Sequence, residues 1–172
     1  HILRRNKIQY SKTESLIKKL GNSNTKIIYL DHHLSHLAYS FYTSPFKDSA
    51  LISVDGVGEW ETTSLAFGDE NNINKFLSTQ FPNSLGMLFG IPNRLPDEPL
   101  TNAHKNIAAG LQFTYEQHFF SLLNRLHKTT KSDNLCLSGG CAYNGTANGK
   151  ILSRTKFKNL YIPPAPSDAG SA

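Results

Sequence analysis

Three histidines fall within five residues in the stretch Asp31-His32-His33-Leu34-Ser35-His36. The chain has seven histidines in all, so this density stands far above an even spread. On a helix, positions 32 and 36 share one face, one turn apart. Two imidazoles so placed can meet one cation, as in helical zinc motifs. A metalloprotease needs glutamate after its first histidine, and His33 stands there instead. The pair therefore points to a metal without pointing to peptide hydrolysis. A helix N-terminus capped by Asp31 and carrying surface histidines fits the spacing equally well.

Three glycine-bearing polar turns follow apolar runs. In Asp55-Gly56-Val57-Gly58 the glycines let backbone N–H groups approach an anion, and the acid can hold a cation or orient water. In Ser138-Gly139-Gly140 two glycines precede an expected helix, whose N-terminus favours phosphate. In Pro166-Ser167-Asp168-Ala169-Gly170 an acid sits where a helix would be capped. Each alone is also an ordinary turn or cap. Taken with the histidine pair, they suggest a nucleotide site with a metal beside it.

The elements that must position these residues alternate between strand and helix. The pattern predicts a short helix from Thr13 to Leu20 ending at Gly21, then a buried strand over 26–30. The histidine helix runs to about Tyr42. Ser49 to Val54 is apolar on both faces and reads as a central strand. Thr62 to Phe67 and Ile73 to Phe81, separated by turn residues, complete a β-meander. The stretch from Pro82 to Asn102, rich in Pro, Asn and Gly, predicts no regular element. Ile107, Leu111, Tyr115, Phe119, Leu122, Leu123 and Leu126 form one apolar stripe on a long helix, the pattern of core packing. His104, His118 and His127 read as surface histidines of that helix. Asn134 to Leu137 is a further buried strand ending in Ser138 to Asn144, a helix follows as far as Lys150, and Asn159 to Ile162 is the last strand.

Composition narrows the function classes. A length of 172 residues suits one domain with a real core. The net charge of +5 is mild, and Leu3-Arg4-Arg5-Asn6-Lys7 is the one basic block. Without aromatic–basic interleaving, a solvated basic surface is favoured over nucleic-acid binding. No apolar run approaches the roughly 20 residues that span a bilayer, so no membrane partner is expected. The opening His1-Ile2-Leu3-Arg4-Arg5 lacks an initiator Met and an apolar signal segment. Two cysteines, Cys136 and Cys141, make no disulfide framework, read as small buried residues, and suit a reduced, cytoplasmic setting.

The motifs occur in a telling order. His32-His33-Leu34-Ser35-His36 is followed by Val54-Asp55-Gly56-Val57-Gly58-Glu59 and Asn83-Ser84-Leu85-Gly86. Then come Leu137-Ser138-Gly139-Gly140-Cys141-Ala142-Tyr143-Asn144, Ala147-Asn148-Gly149-Lys150 and Pro163-Pro164-Ala165-Pro166-Ser167-Asp168-Ala169-Gly170. This set, from about residue 26 to 172, resembles the O-carbamoyltransferases of the nodulation-protein and antibiotic-tailoring type. The hydrogenase-maturation carbamoyltransferases share the histidine and Gly-Gly motifs but match less of the rest. Both groups resemble the universal tRNA threonylcarbamoyl transferase in this domain.

The resemblance implies an α/β chain of the actin/Hsp70-type (ribonuclease H-like) ATPase fold, with a mixed sheet and flanking helices. It implies that carbamoyl phosphate and ATP give carbamoyl-adenylate in a separate C-terminal domain. The present domain then passes the carbamoyl group to a hydroxyl of a small-molecule acceptor. By the same resemblance His32, His36 and Asp168 hold a divalent metal, iron, while His33 stays outside its ligand set. Gly139, Gly140 and Asn144 hold the adenylate, Asp55, Gly56 and Gly58 line its phosphate side, and His32, His36 and Asp55 are the catalytic residues.

Against that family the chain is short, and the expectation is one partial domain over residues 1–172. It lacks an opening strand pair with its phosphate loop, the adenylate-forming domain beyond residue 172, and a long insert between Gly90 and His104. A bare first strand would leave a sheet edge unpaired, which predicts a homo-oligomer. A metal- or nucleotide-binding remnant without turnover is the alternative to an active transferase domain.

Overall fold

The computed structural model describes residues 12–21, 24, 26–58, 61–79 and 97–171. They fall into two units, one ending at Asp31 and one beginning at His32. Asn83–Gly86 and the rest of 80–96 lie outside the described residues, as does the basic block at 3–7.

In the first unit, helix α1 covers 12–20, and the Gly21 N–H donates to the Ile17 carbonyl at 2.8 Å as it ends. The buried strand expected over 26–30 is not there. Those residues carry no regular secondary structure, and Ile28, Tyr29 and Leu30 are all exposed. A short, mostly apolar run makes a strand only when a neighbouring strand completes its hydrogen bonds. The described part of this unit offers only a helix.

The second unit opens with helix α2 (His32–Tyr42) and continues with strands β1 (Asp48–Gly58), β2 (Glu61–Asp69) and β3 (Asn72–Thr79). Helix α3 (Asn102–Thr130) leads to β4 (Asn134–Ser138), a 3-10 turn (Gly140–Tyr143), and two short helices, α4 (Gly145–Asn148) and α5 (Ile151–Arg154). Strand β5 (Asn159–Tyr161) and helix α6 (Asp168–Ser171) follow. The sheet order is β3-β2-β1-β4-β5. The first three strands form the antiparallel meander, while β4 and β5 run parallel to β1 and β4. This is a mixed five-stranded α/β sheet.

Side-chain alternation along β1 sets the layers. Ala50, Ile52 and Val54 face α3 and pack with Leu65, Leu135, Leu137, Phe119, Phe120 and Leu123. Leu51 faces the other way and meets Leu37 and Phe41 of α2, with Ala66 and Cys136. A strand buried on both faces has no solvent side to show, which is why 49–54 carries only apolar side chains and two small serines, Ser49 and Ser53, both buried. Each Leu or Phe buried here contributes about 1.5–3 kcal/mol.

Helix α3 corrects part of the stripe reading. Phe119, Phe120, Leu123 and Leu126 are buried, but Ile107 and Leu111 of the same stripe are only half-buried. The core therefore covers the second half of the helix. Its start is fixed by a capping box: Thr101 Oγ1 accepts from the His104 N–H, and His104 Nδ1 accepts from the Thr101 N–H. Its end is the left-handed Lys131, φ 55°, whose N–H donates to the His127 carbonyl. His118 is exposed, but His127 is half-buried, its ring edge-on to Phe157 at 5.1 Å. The helix expected after Asn144 forms as α4, preceded by the 3-10 turn. The Asn144 side chain accepts from the Ala147 N–H and starts the helix there.

Candidate metal centre and its surroundings

Four side chains converge at one end of β1. Helix α2 carries His32 and His36 one turn apart, and their Nε2 atoms lie 3.1 Å from each other. The alternation that turns Leu51 toward α2 continues through Ser53 to Asp55. The pairing register of β1 with β2 shifts between Val54 and Gly58, so the strand irregularity begins at this acid. Asp55 Oδ2 lies 3.1 Å from His32 Nε2 and 3.3 Å from His36 Nε2. Asp168 opens α6, which packs on α2. Its Oδ1 lies 3.5 Å from His32 Nε2 and 3.3 Å from His36 Nε2. Ligand atoms of all four residues lie within 4.8 Å of one another.

The structure thus brings together His32, His36 and Asp168 and adds Asp55 as a fourth donor. The sequence places Asp55 on a glycine turn, where an acid can hold a cation or orient water, and the resemblance adds a catalytic role and the phosphate side. Asp55 stands instead within a strand, because β1 runs on through Asp55-Gly56-Val57-Gly58 rather than ending at Val54. Gly56 donates its N–H to Asp55 Oδ1 at 2.7 Å, and Gly58 pairs with Glu61 where the hairpin closes.

Burial differs sharply around the cluster. His36 is fully buried, His32 and Asp55 are partly so, and the Asp168 side chain is 77% exposed. Solvent and ligands therefore reach the cluster from the Asp168 side. Burial would raise the Asp55 carboxyl. Hydrogen bonds from His32 and the Gly56 N–H, with His36 nearby, overcome that and hold it below the usual carboxylate range. It is a carboxylate at neutral pH.

This donor set fits a divalent cation. Ligand atoms held about 2.1 Å from an ion in a tetrahedron lie about 3.4 Å apart. The four contacts between imidazole and carboxylate measure 3.1–3.5 Å. Two imidazoles and two carboxylates suit borderline ions, iron among them. Metal-bound imidazoles usually donate from Nδ1 to a second partner. His36 Nδ1 has none among the described residues.

His33 faces away from the cluster. Its Nε2 meets the Glu61 carbonyl at 2.9 Å, and burial pushes its imidazole below the ordinary value. A neutral His33 donates this bond and ties α2 to the start of β2.

The Gly-Gly turn brings two segments to Asp55. Gly139 has φ 88°, and a Cβ there would lie 2.3 Å from the Val54 carbonyl oxygen. Its N–H donates to the Pro166 carbonyl at 2.7 Å, so this N–H is taken up within the protein. A Cβ on Gly140 would sit 2.9 Å from Asp55 Oδ1. The glycines let β4 press on β1 and hold the segment that carries Asp168.

Asn144 belongs to a polar network that sequence spacing did not suggest. Its amide pairs reciprocally with the Gln112 amide, and Gln112 also donates to Glu116 at 3.0 Å. Lys150 caps both Glu116 oxygens at 2.7 and 2.8 Å, and Arg154 reaches it at 3.4 Å while lying 4.2 Å above the Phe120 ring. An acid spaced four after a glutamine on one helix was the local signal; its cationic partners lie in a different helix pair. Hydrogen bonds from Gln112 and Lys150 hold the Glu116 carboxyl below its ordinary value of 4.5. A lowered folded-state value stabilises above 4.5, and that contribution disappears as pH falls through the folded value. Glu116→Gln is expected to lower the melting temperature at pH 7. It should also flatten the acid limb of the stability curve below pH 4.5, read by melts across that range.

Comparison with known proteins identifies the family. The family model described as carbamoyltransferase N-terminus matches residues 3–95 and 88–172, two stretches that meet at 88–95. The uncharacterized protein sll1178 of Synechocystis sp. is 30% identical over 239 aligned residues, covering 95% of this chain and 39% of that protein. Nodulation protein NolNO of Sinorhizobium fredii is 25% identical, covering 86% of this chain and 30% of its own length. Nodulation protein NolO of Bradyrhizobium diazoefficiens is 25% identical, with 83% and 37% covered. The chain spans 30–39% of the length of these three relatives. The first alignment is longer than the 172-residue chain, so that relative carries additional residues within the matched span.

Proposed function

The chain belongs to the carbamoyltransferase family whose N-terminal region it matches, and from that premise we propose that it serves the transfer step from carbamoyl-adenylate to a hydroxyl of a small-molecule acceptor. The observation that carries the reading is the convergence of His32, His36, Asp55 and Asp168 directly beside Gly140.

The step is an acyl-type transfer. The acceptor oxygen bonds to the carbamoyl carbon, and the bond from that carbon to the phosphate oxygen breaks. AMP leaves with that electron pair and takes up the hydroxyl proton. Carbamoyl-adenylate itself would come from carbamoyl phosphate and ATP elsewhere in the full-length protein. His32, His36, Asp55 and Asp168 would hold the divalent metal, with iron the first candidate. When bound, such an ion supplies Lewis acidity toward the negative charge that develops during transfer. Gly140 and Asn144 flank the adenylate in this reading, with Gly139 shaping the turn and Gly56 and Gly58 on the phosphate side.

The chain's own groups support direct transfer. Burial, and then the Asp55 carboxylate, push the Cys141 thiol up, so it stays protonated and is a poor nucleophile. Burial does the same to Cys136. The strand order β3-β2-β1-β4-β5, an antiparallel meander followed by two parallel strands, supports a ribonuclease H-like half and hence an actin/Hsp70-type ATPase fold.

The test is a titration of AMP into the purified chain, with cobalt(II) as metal probe, with and without chelator. Stoichiometric metal and chelator-sensitive AMP binding are expected. Metal without AMP binding would make the chain a metal-binding remnant, and neither would sink the reading.

A further inference from the structure

A cavity of about 320 Å³ opens beside the donor cluster, between the β1–β2 end of the sheet and the middle of α3. Val54, Leu111, Tyr115, Phe119 and Leu122 form apolar walls. Asp55 is part of the same lining, so one residue belongs both to the cluster and to the cavity. Half-buried Leu111 borders the cavity, as does Tyr115, which also stacks on Phe119 at 5.3 Å.

We infer that this cavity holds the body of the acceptor, and that the acceptor is an apolar alcohol, aryl or alkyl, rather than a sugar. The inference rests on the carbamoyl-transfer reading and names its substrate class. The carbamoyl group must meet the acceptor hydroxyl at the cluster, and the cavity adjoins it through Asp55. A molecule lying in the cavity has its reacting end at that acid and its remaining bulk against Leu111, Phe119 and Leu122. His118, Thr62 and Thr114 also border the cavity, but its walls are predominantly apolar, and a sugar would leave most of its hydroxyls unpaired against them, which is unfavourable. An aromatic or aliphatic skeleton is instead drawn out of water by the same walls. The hydroxyls of two lining residues, Thr63 and Tyr115, are themselves buried and turn no polar surface to the cavity. Scaled from a cavity of about 150 Å³ that takes benzene, the space accepts roughly two fused rings.

The test uses the purified chain loaded with cobalt(II) and titrated with 2-naphthylmethanol or methyl glucoside. Saturable binding of the naphthyl alcohol, at least tenfold tighter than the glucoside, is expected. Leu111→Trp, which fills the cavity from a half-buried position, should weaken naphthyl binding at least tenfold without changing cobalt content. Thr114→Trp repeats the test from an exposed position of the same lining, should the first variant fold poorly. Equal binding of the two alcohols, or naphthyl binding unchanged in the folded variants, would overturn the inference even if AMP and metal bind. Cavity-dependent naphthyl binding without AMP binding would uphold the apolar cavity and remove the transfer reading on which the acceptor's role rests.

Discussion

His36→Ala is expected to reduce affinity for cobalt(II) or iron(II) by more than about 100-fold, since loss of an outer-shell partner alone costs roughly 10–100-fold. His36 is fully buried with its Nε2 within 3.3 Å of donor atoms on three elements. No other described side chain occupies that position. Anaerobic titration followed by elemental analysis reads the loss directly. His118→Ala removes an exposed histidine of α3 and should leave metal content unchanged. Circular dichroism separates ligand loss from unfolding, and His36→Gln, closer in volume, guards against a collapsed cavity. Undiminished metal in His36→Ala would remove this residue from the site.

The second large effect concerns stability. Gly139→Ala is expected to cost about 3 kcal/mol or more, from a left-handed φ of 88° and a Cβ forced to 2.3 Å from the Val54 carbonyl oxygen. Backbone must move to relieve that contact, and the backbone in question is the strand bearing Asp55. Gly145→Ala is the matched control. Nothing lies within 4 Å of its Cβ position, and it sits in α4. That change should be neutral or stabilising by up to about 1 kcal/mol. Denaturant midpoints for the two variants decide it. Equal midpoints would mean that the turn relaxes freely and does not fix the relation of β4 to β1.

What the sequence disclosed and what it hid divide along the range of the interactions involved. The pairing of His32 with His36 depends on four successive residues of one helix, so spacing alone revealed it. The meander of β1, β2 and β3 is local in the same sense, as are the buried half of α3 and the two-faced apolar run of β1. That Asp55 could hold a cation was legible, but not that it joins the histidines from within a strand, because glycines at 56 and 58 read as a turn while the strand continued through them. The strand expected over 26–30 failed for the converse reason: apolar composition cannot supply the neighbour that a strand needs. Glu116 found Lys150 and Arg154 only through tertiary folding. The upper part of the α3 stripe looked like core because periodicity reports which residues share a face. It does not report whether that face is covered.

The four donors of the cluster are unevenly spread along the chain: three lie in α2 and β1, and Asp168 comes more than a hundred positions later. An ion held by all four would act as a cross-link, closing one long loop that encloses most of the sheet and the whole of α3. Such a closure restricts the unfolded chain much as a disulfide does, and its benefit grows slowly with loop length. The two free cysteines supply no such bond. Loading and unloading this site would therefore alter how tightly the segment around Asp168 is tethered, joining the chemistry of the centre to the topology of the chain.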